Sequence, residues 1–218
     1  MKPWSFHLPP GAGVRPLAAI AAVSLVATLA SCSMSRPAPV KHMYLLEAAA
    51  PAAAAVQKTA SLRIGAINVA AAFRGRALVY RRDDITFEAD FYSEYFVAPA
   101  AMLGEATAQA LTAANVFRRV IPPGAAPDDA EYVLDGFVTE LYGDIRETGK
   151  PAAVLAVTFY LSSASTPTTR VLWSREYRQR VPVSEAGSDA LARAASAALS
   201  AVLADLARDL AAAQLPRP

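Results

Sequence analysis

Over residues 188–213, Leu191, Ala195, Leu199, Val202, Leu206 and Leu210 recur every three or four positions, the spacing of one face of an α-helix. A stripe of that length is buried only against another layer of structure, so the segment is expected to pack along a sheet. Alanine fills much of the remainder, which favours helix intrinsically and permits a close approach. Arg193, Asp205, Arg208 and Asp209 mark the wet face, and Pro216 and Pro218 follow its end.

The sheet it needs is written upstream. Leu62, Ile64 and Ala66 alternate with Arg63, Gly65 and Ile67 in a strand expected over 62–69, and a second is expected over 77–82. In 86–92, Phe87, Ala89 and Phe91 would face one way and Thr86, Glu88, Asp90 and Tyr92 the other. A helix is predicted over 99–114, with Pro99 in its first turn and Asn115 at its C-terminal cap. A short strand follows at 116–120. Three longer strands, at 132–142, 153–161 and 171–183, read as an antiparallel meander joined by hairpin-length connections. The expected fold class is therefore α+β: one domain whose largely antiparallel or mixed sheet is packed by two main helices, 99–114 and 188–213.

At the other end, residues 17–30 form an apolar stretch of fourteen residues behind Lys2 and Arg15. It is shorter than the roughly 20 residues of a spanning helix and has the layout of a secretory signal. It ends in Leu29-Ala30-Ser31-Cys32, which resembles the bacterial lipobox. That resemblance implies a signal peptide over 1–31, cleavage between Ser31 and Cys32, and acyl chains on Cys32. At about 0.8 kcal/mol per buried methylene, three chains anchor a domain durably. Residues 32–43, with Pro37 and Pro39, read as a lipidated tether. The domain proper is expected over 44–215, opening with a short strand at 44–46 and a flexible Ala/Pro-rich loop at 47–60.

Removing residues 1–31 takes Lys2 and Arg15 from the 21 basic residues and leaves 19 against 19 acidic. Net charge then gives no argument for nucleic-acid binding. With Cys32 lipidated no thiol remains to crosslink, so the core alone must hold the fold.

Catalytic patterns are sparse. His42 is the one histidine beyond the signal, which removes Ser-His-Asp and Cys-His schemes. There is no HExxH pair, histidine or cysteine cluster, EF-hand loop or phosphate-cradling glycine motif, so neither cofactor nor metal is expected. Carboxylates remain: Asp83-Asp84, Glu88 with Asp90, Asp128-Asp129, and Glu140 with Asp144. Their placement beside turns and on outward strand positions reads as solvated surface. Arg74, Arg76, Arg81 and Arg82 read as edge charges that discourage strand pairing. The aromatic group Phe91, Tyr92, Tyr95 and Phe96, at a strand-to-helix junction, either fills the gap between sheet and helix or grips a partner.

The lipobox, the tether, Tyr44-Leu45-Leu46, the strand at 62–69 and Tyr92-Ser93-Glu94-Tyr95-Phe96-Val97-Ala98-Pro99-Ala100-Ala101-Met102-Leu103 together resemble one family. These are the auxiliary lipoproteins of ABC-type transport systems, including the paraquat-inducible protein C-like lipoproteins. Many relatives have tryptophan before the Ala-Pro step, where this chain has Phe96-Val97. The resemblance implies a non-enzymatic periplasmic component, lipid-anchored in the inner leaflet of the outer membrane. Its implied partners are an inner-membrane ABC permease, its ATPase and an MCE-domain lipid-transport protein, and a homo-oligomer is compatible with it. Ser33 after the cysteine agrees with outer-membrane sorting. Two other classes are an envelope-assembly lipoprotein supporting lipopolysaccharide or β-barrel assembly, and a periplasmic carboxylate hydrolase.

Overall fold

A computed structural model describes residues 40–125, 130–164, 170–185 and 187–216. In chain order the elements are β1 (His42–Tyr44), β2 (Lys58–Val69), a 3-10 turn (Ala71–Phe73), β3 (Ala77–Arg81), β4 (Phe87–Tyr95), α1 (Pro99–Ala113), β5 (Phe117–Ile121), β6 (Tyr132–Asp144), β7 (Ala152–Ser163), β8 (Val171–Pro182) and α2 (Ser188–Ala212).

The sheet is organised on β6. Along one edge β7 runs antiparallel, followed by antiparallel β8, which is the expected meander. Along the other edge, β2 lies parallel to the first half of β6 and β3 parallel to its end. The chain thus passes from β2 to β3 in one direction, interrupted by the 3-10 turn that buries Phe73. Outside β2 lies β5, parallel; outside β3 lies β4, antiparallel, with β1 parallel to β4. The eight-stranded sheet formed by the described residues is mixed, and with its two helices the domain is α+β.

Both helices cover one face. α1 lies over β2 and β5, α2 over β7 and β8. All six residues of the predicted α2 stripe are buried. By length and composition α2 could cross a membrane, but its leucines are spent on the sheet, as in the core helix of a globular domain. Gly143 brings β6 and α2 together: an added Cβ there would stand 2.8 Å from Leu191 Cδ2. α1 begins with Pro99 and is closed by Asn115, whose φ of 54° is the left-handed conformation of a helix stop.

Two irregularities reset the alternation. In β6 the register slips at Thr139, so Leu134, Gly136 and Val138 face the helices before it and Leu141 and Gly143 after it. In β2 the register slips between Ile64 and Ile67, where Asp135 Oδ1 accepts the Ala66 amide at 2.8 Å. Gly65 is required there, because an added Cβ would overlap that carboxylate oxygen.

The N-terminal portion differs from expectation. The first strand is His42–Tyr44 rather than 44–46, because these residues pair with 93–95 of β4; the Tyr44 hydroxyl meets Ser188 and Asp189 at the start of α2. His42 accordingly belongs to the sheet, not to a tether. Within the expected loop 47–60, residues 58–60 are the start of β2. The preceding residues form a strap along the helices: the Glu47 and Ala49 amides donate to Ser196 and Ser200 of α2, the Ala54 amide donates to the Ala114 carbonyl, and Leu46 is buried in the core.

Candidate functional site

Strand β4 carries the aromatic group. Ala77 pairs with Glu94 but Val79 pairs with Ala89, so one residue of β3 faces four of β4. The excess is held as a bulge by Asp90, whose Oδ1 accepts the amides of Tyr92 at 2.8 Å and Ser93 at 2.9 Å. The bulge turns Phe91 and Tyr92 out of the sheet, 80% and 45% exposed, their rings edge to face at 5.1 Å. Tyr95 returns to the core, 5% exposed, and burial pushes its hydroxyl pKa up. Burial pushes Tyr80 up to about 12, assisted by the nearby Asp90 charge. Phe96, in the bend before α1, is 58% exposed. The group therefore divides: Tyr95 belongs to the core, while Phe91, Tyr92 and Phe96 stand outside it. The alternation expected over 86–92 fails for the same reason, since Phe87, Ala89 and Phe91 are all exposed around an irregular edge strand.

A shallow concavity of about 410 Å³ beside the bulge is lined by Tyr80, Ala89, Phe91 and Tyr92, with Arg82 and Glu88 at its polar side. Arg82 and Glu88 are ion-paired to each other.

The carboxylates have structural partners. Asp83 accepts the amides of Ile85 and Thr86, which hold its pKa below the ordinary range. Asp84 pairs with Arg146 at 3.0 Å. Glu140 of β6 meets Arg178 of β8 at 2.6 Å across β7, and the intervening Ala156 leaves room for the bridge. Asp144 differs from the solvated surface expected for it: it is buried, receives Arg146 Nε and Nη2 at 3.0 Å each, and is approached by Arg180 at 3.4 Å. Arg146 thereby holds its pKa down to about 2. Arg81 was expected as an edge charge; its guanidinium instead stacks 5.4 Å from the Phe87 ring centre and 5.9 Å from that of Tyr142. Asp128 and Asp129 lie outside the described residues, as do Ser31 and Cys32. Among the described residues no group of three or more His, Cys, Asp or Glu side chains is placed to hold a metal ion.

Residues 44–207 match the family described as the ABC-type transport auxiliary lipoprotein component. The chain belongs to that family. Its fold is shared with a crystal structure of a Xanthomonas campestris protein, at 19% identity and a TM-score of 0.67 over 76% of this chain and 91% of that one. A second crystal structure, of an uncharacterized protein, aligns at 14% identity and a TM-score of 0.62 over 78% of this chain and 99% of the other. No curated protein matches the sequence. The family's description is that of lipoprotein components auxiliary to ABC-type transport.

The signal that sequence reasoning missed is Asp90. An Asp followed by two aromatics inside a strand pattern marks a possible side-chain-to-backbone turn, and that turn decides which aromatics are exposed.

Proposed function

We propose that this protein is the lipid-anchored docking component of an MCE-associated ABC lipid-transport system, with no catalysis of its own. In this reading residues 1–31 are removed between Ser31 and Cys32. The acyl chains on Cys32 then hold the domain in the inner leaflet of the outer membrane, facing the periplasm. The domain presents Phe91 and Tyr92 on the β4 bulge to the periplasmic MCE-domain partner, while the permease and its ATPase supply energy from the inner membrane.

The observation that carries the reading is the family match across residues 44–207. The bulge supports the contact surface: Asp90 spends its carboxylate on holding two aromatic side chains away from the core, and such exposed, rigid rings are typical anchors of protein interfaces. The ion-paired and amide-bound carboxylates support a non-enzymatic role, since Asp83 and Asp144 are shifted down, opposite to the direction a general acid needs.

The test is photocrosslinking from position 91 in intact envelopes, followed by identification of the captured protein. Capture of the MCE-domain protein or another transporter component is expected. Capture of a β-barrel assembly or lipopolysaccharide-assembly component instead would overturn the proposal.

A further inference from the structure

A second group of exposed apolar side chains lies around β1 and the end of β4, where the chain enters the fold. Val40, Met43 and Leu45 flank β1 with exposures of 71%, 50% and 52%, and Phe96 and Val97 follow β4 with 58% and 42%. They are held together by the backbone: β1 pairs with residues 93–95 of β4, and the Phe96 amide donates to the Tyr44 carbonyl at 2.8 Å. Lys41 and Arg76 both reach Glu94 beside this surface, at 2.9 Å and 2.5 Å, and Arg74 is exposed two residues away. On the other side, Glu47 and Glu105 line one concavity with Leu45 and Val97.

We infer that this apron rests on the phospholipid bilayer that holds Cys32, inserting Met43, Phe96 and their neighbours at the boundary between headgroups and acyl chains. The inference rests on the lipid-anchor reading. Only residues 33–39 separate Cys32 from Val40, so the first apolar side chain of the fold is at most about 28 Å along the chain from the anchor. A surface held so close to lipid meets it at a high effective concentration. Its Met43–Phe96 side suits that interface, with an aromatic ring and an unbranched side chain beside Lys41, Arg74 and Arg76. The contact would fix which way the domain faces: one acyl anchor on a short chain sets distance but not rotation, and a second contact sets rotation.

Because Cys32 is the chain's one cysteine, its lipidation leaves an introduced thiol as the single labelling site. The experiment uses full-length lipoprotein purified from envelopes as Phe96→Cys or Met43→Cys, labelled with an environment-sensitive dye and reconstituted into phosphatidylethanolamine–phosphatidylglycerol vesicles. Phe137→Cys, on the helix-free sheet face, is the comparison. Blue-shifted emission at 96 and 43, quenched by spin-labelled lipid, with 137 remaining aqueous, is the expected result. Aqueous emission at 96 and 43 from protein that floats with the vesicles overturns the inference while leaving the anchor intact. A shift at all three positions overturns it as general adsorption, and a shift that requires added envelope proteins assigns the face to a protein instead. Failure to float, with a second dye on Cys32, overturns the lipid-anchor reading and this inference with it.

Discussion

Lys41 Nζ meets Glu94 Oε2 at 2.9 Å, across the pairing of β1 with β4, at the place where the chain enters the fold. Arg76 takes the other oxygen of the same carboxylate at 2.5 Å. Glu94 is largely buried, while both cations are about half exposed, so a single acidic side chain closes the edge of the sheet from two sides. Removing it leaves two cations free to turn to water, which moderates the loss. We expect Glu94→Gln to cost about 1–2 kcal/mol in denaturant unfolding and to raise amide exchange across His42–Tyr44 selectively. Unchanged exchange in β1 would show that backbone pairing alone holds it.

Gly65 and Asp135 share one volume at the β2 bulge, and no methyl group fits beside that carboxylate. Gly65→Ala must displace Asp135 from the Ala66 amide, combining steric strain with a lost charge-assisted bond, for a loss of about 1–3 kcal/mol. In Asp135→Ala only the contact with Val133 Cγ1, 2.9 Å from the added Cβ, remains, so adding Gly65→Ala to it should cost less than Gly65→Ala alone. Additive losses in that double-mutant cycle would refute the shared-volume account.

Asp144 makes stability depend on acid. Its pKa falls from an ordinary 3.8 to about 2 because Arg146 donates two hydrogen bonds to it. The ionised form is therefore favoured by folding, so this stabilisation is complete above about pH 4 and is lost as pH falls towards 2. With the arginines partly in water, about 1–2 kcal/mol is expected. Unfolding free energies measured between pH 2 and 5 should show this slope, and Asp144→Asn should flatten it.

Lys58 reaches from the start of β2 to the end of α2, where its Nζ donates to the carbonyls of Ala211 at 3.2 Å and Ala213 at 2.7 Å. These carbonyls have no partner within the helix, and a cation there also meets the negative end of the helix dipole. Lys58→Met should destabilise by about 1 kcal/mol, with exchange increasing in the last turn of α2 rather than its first.

Cys32 should carry the lipid. Growth in radioactive palmitate is expected to label the wild-type chain and not Cys32→Ala, with the variant recovered in the soluble envelope fraction. Persistent labelling of the variant would remove the anchor.

The long elements were legible because their burial is one-sided and periodic. The α2 leucines repeat at helical spacing, and Ala153, Leu155, Val157, Phe159 and Leu161 repeat at strand spacing; each pattern has one physical solution. Legibility failed where a side chain overrides the local period. Asp90 binds two amides and turns Phe91 and Tyr92 out of the sheet, and Thr139 shifts the phase of β6 so that odd residues take over from even ones in the core. The loop before β2 was legible but its seat on α2 was not, because alanine and proline carry no periodic signal and the serines that receive it lie some 150 residues away.

By itself the sequence determined the α+β class, the meander, both helices and the family, because hydrophobic spacing is local and survives without knowledge of neighbours. Only the tertiary structure decided that β2 and β3 follow one another along β6, that Tyr95 is core while Phe91 and Phe96 are surface, and that Asp144 is a buried ion pair. The first depends on which distant residues arrive opposite, whereas Asp90 with Tyr92 and Asp144 with Arg146 are pairs two residues apart whose side-chain bonds no hydrophobic period encodes.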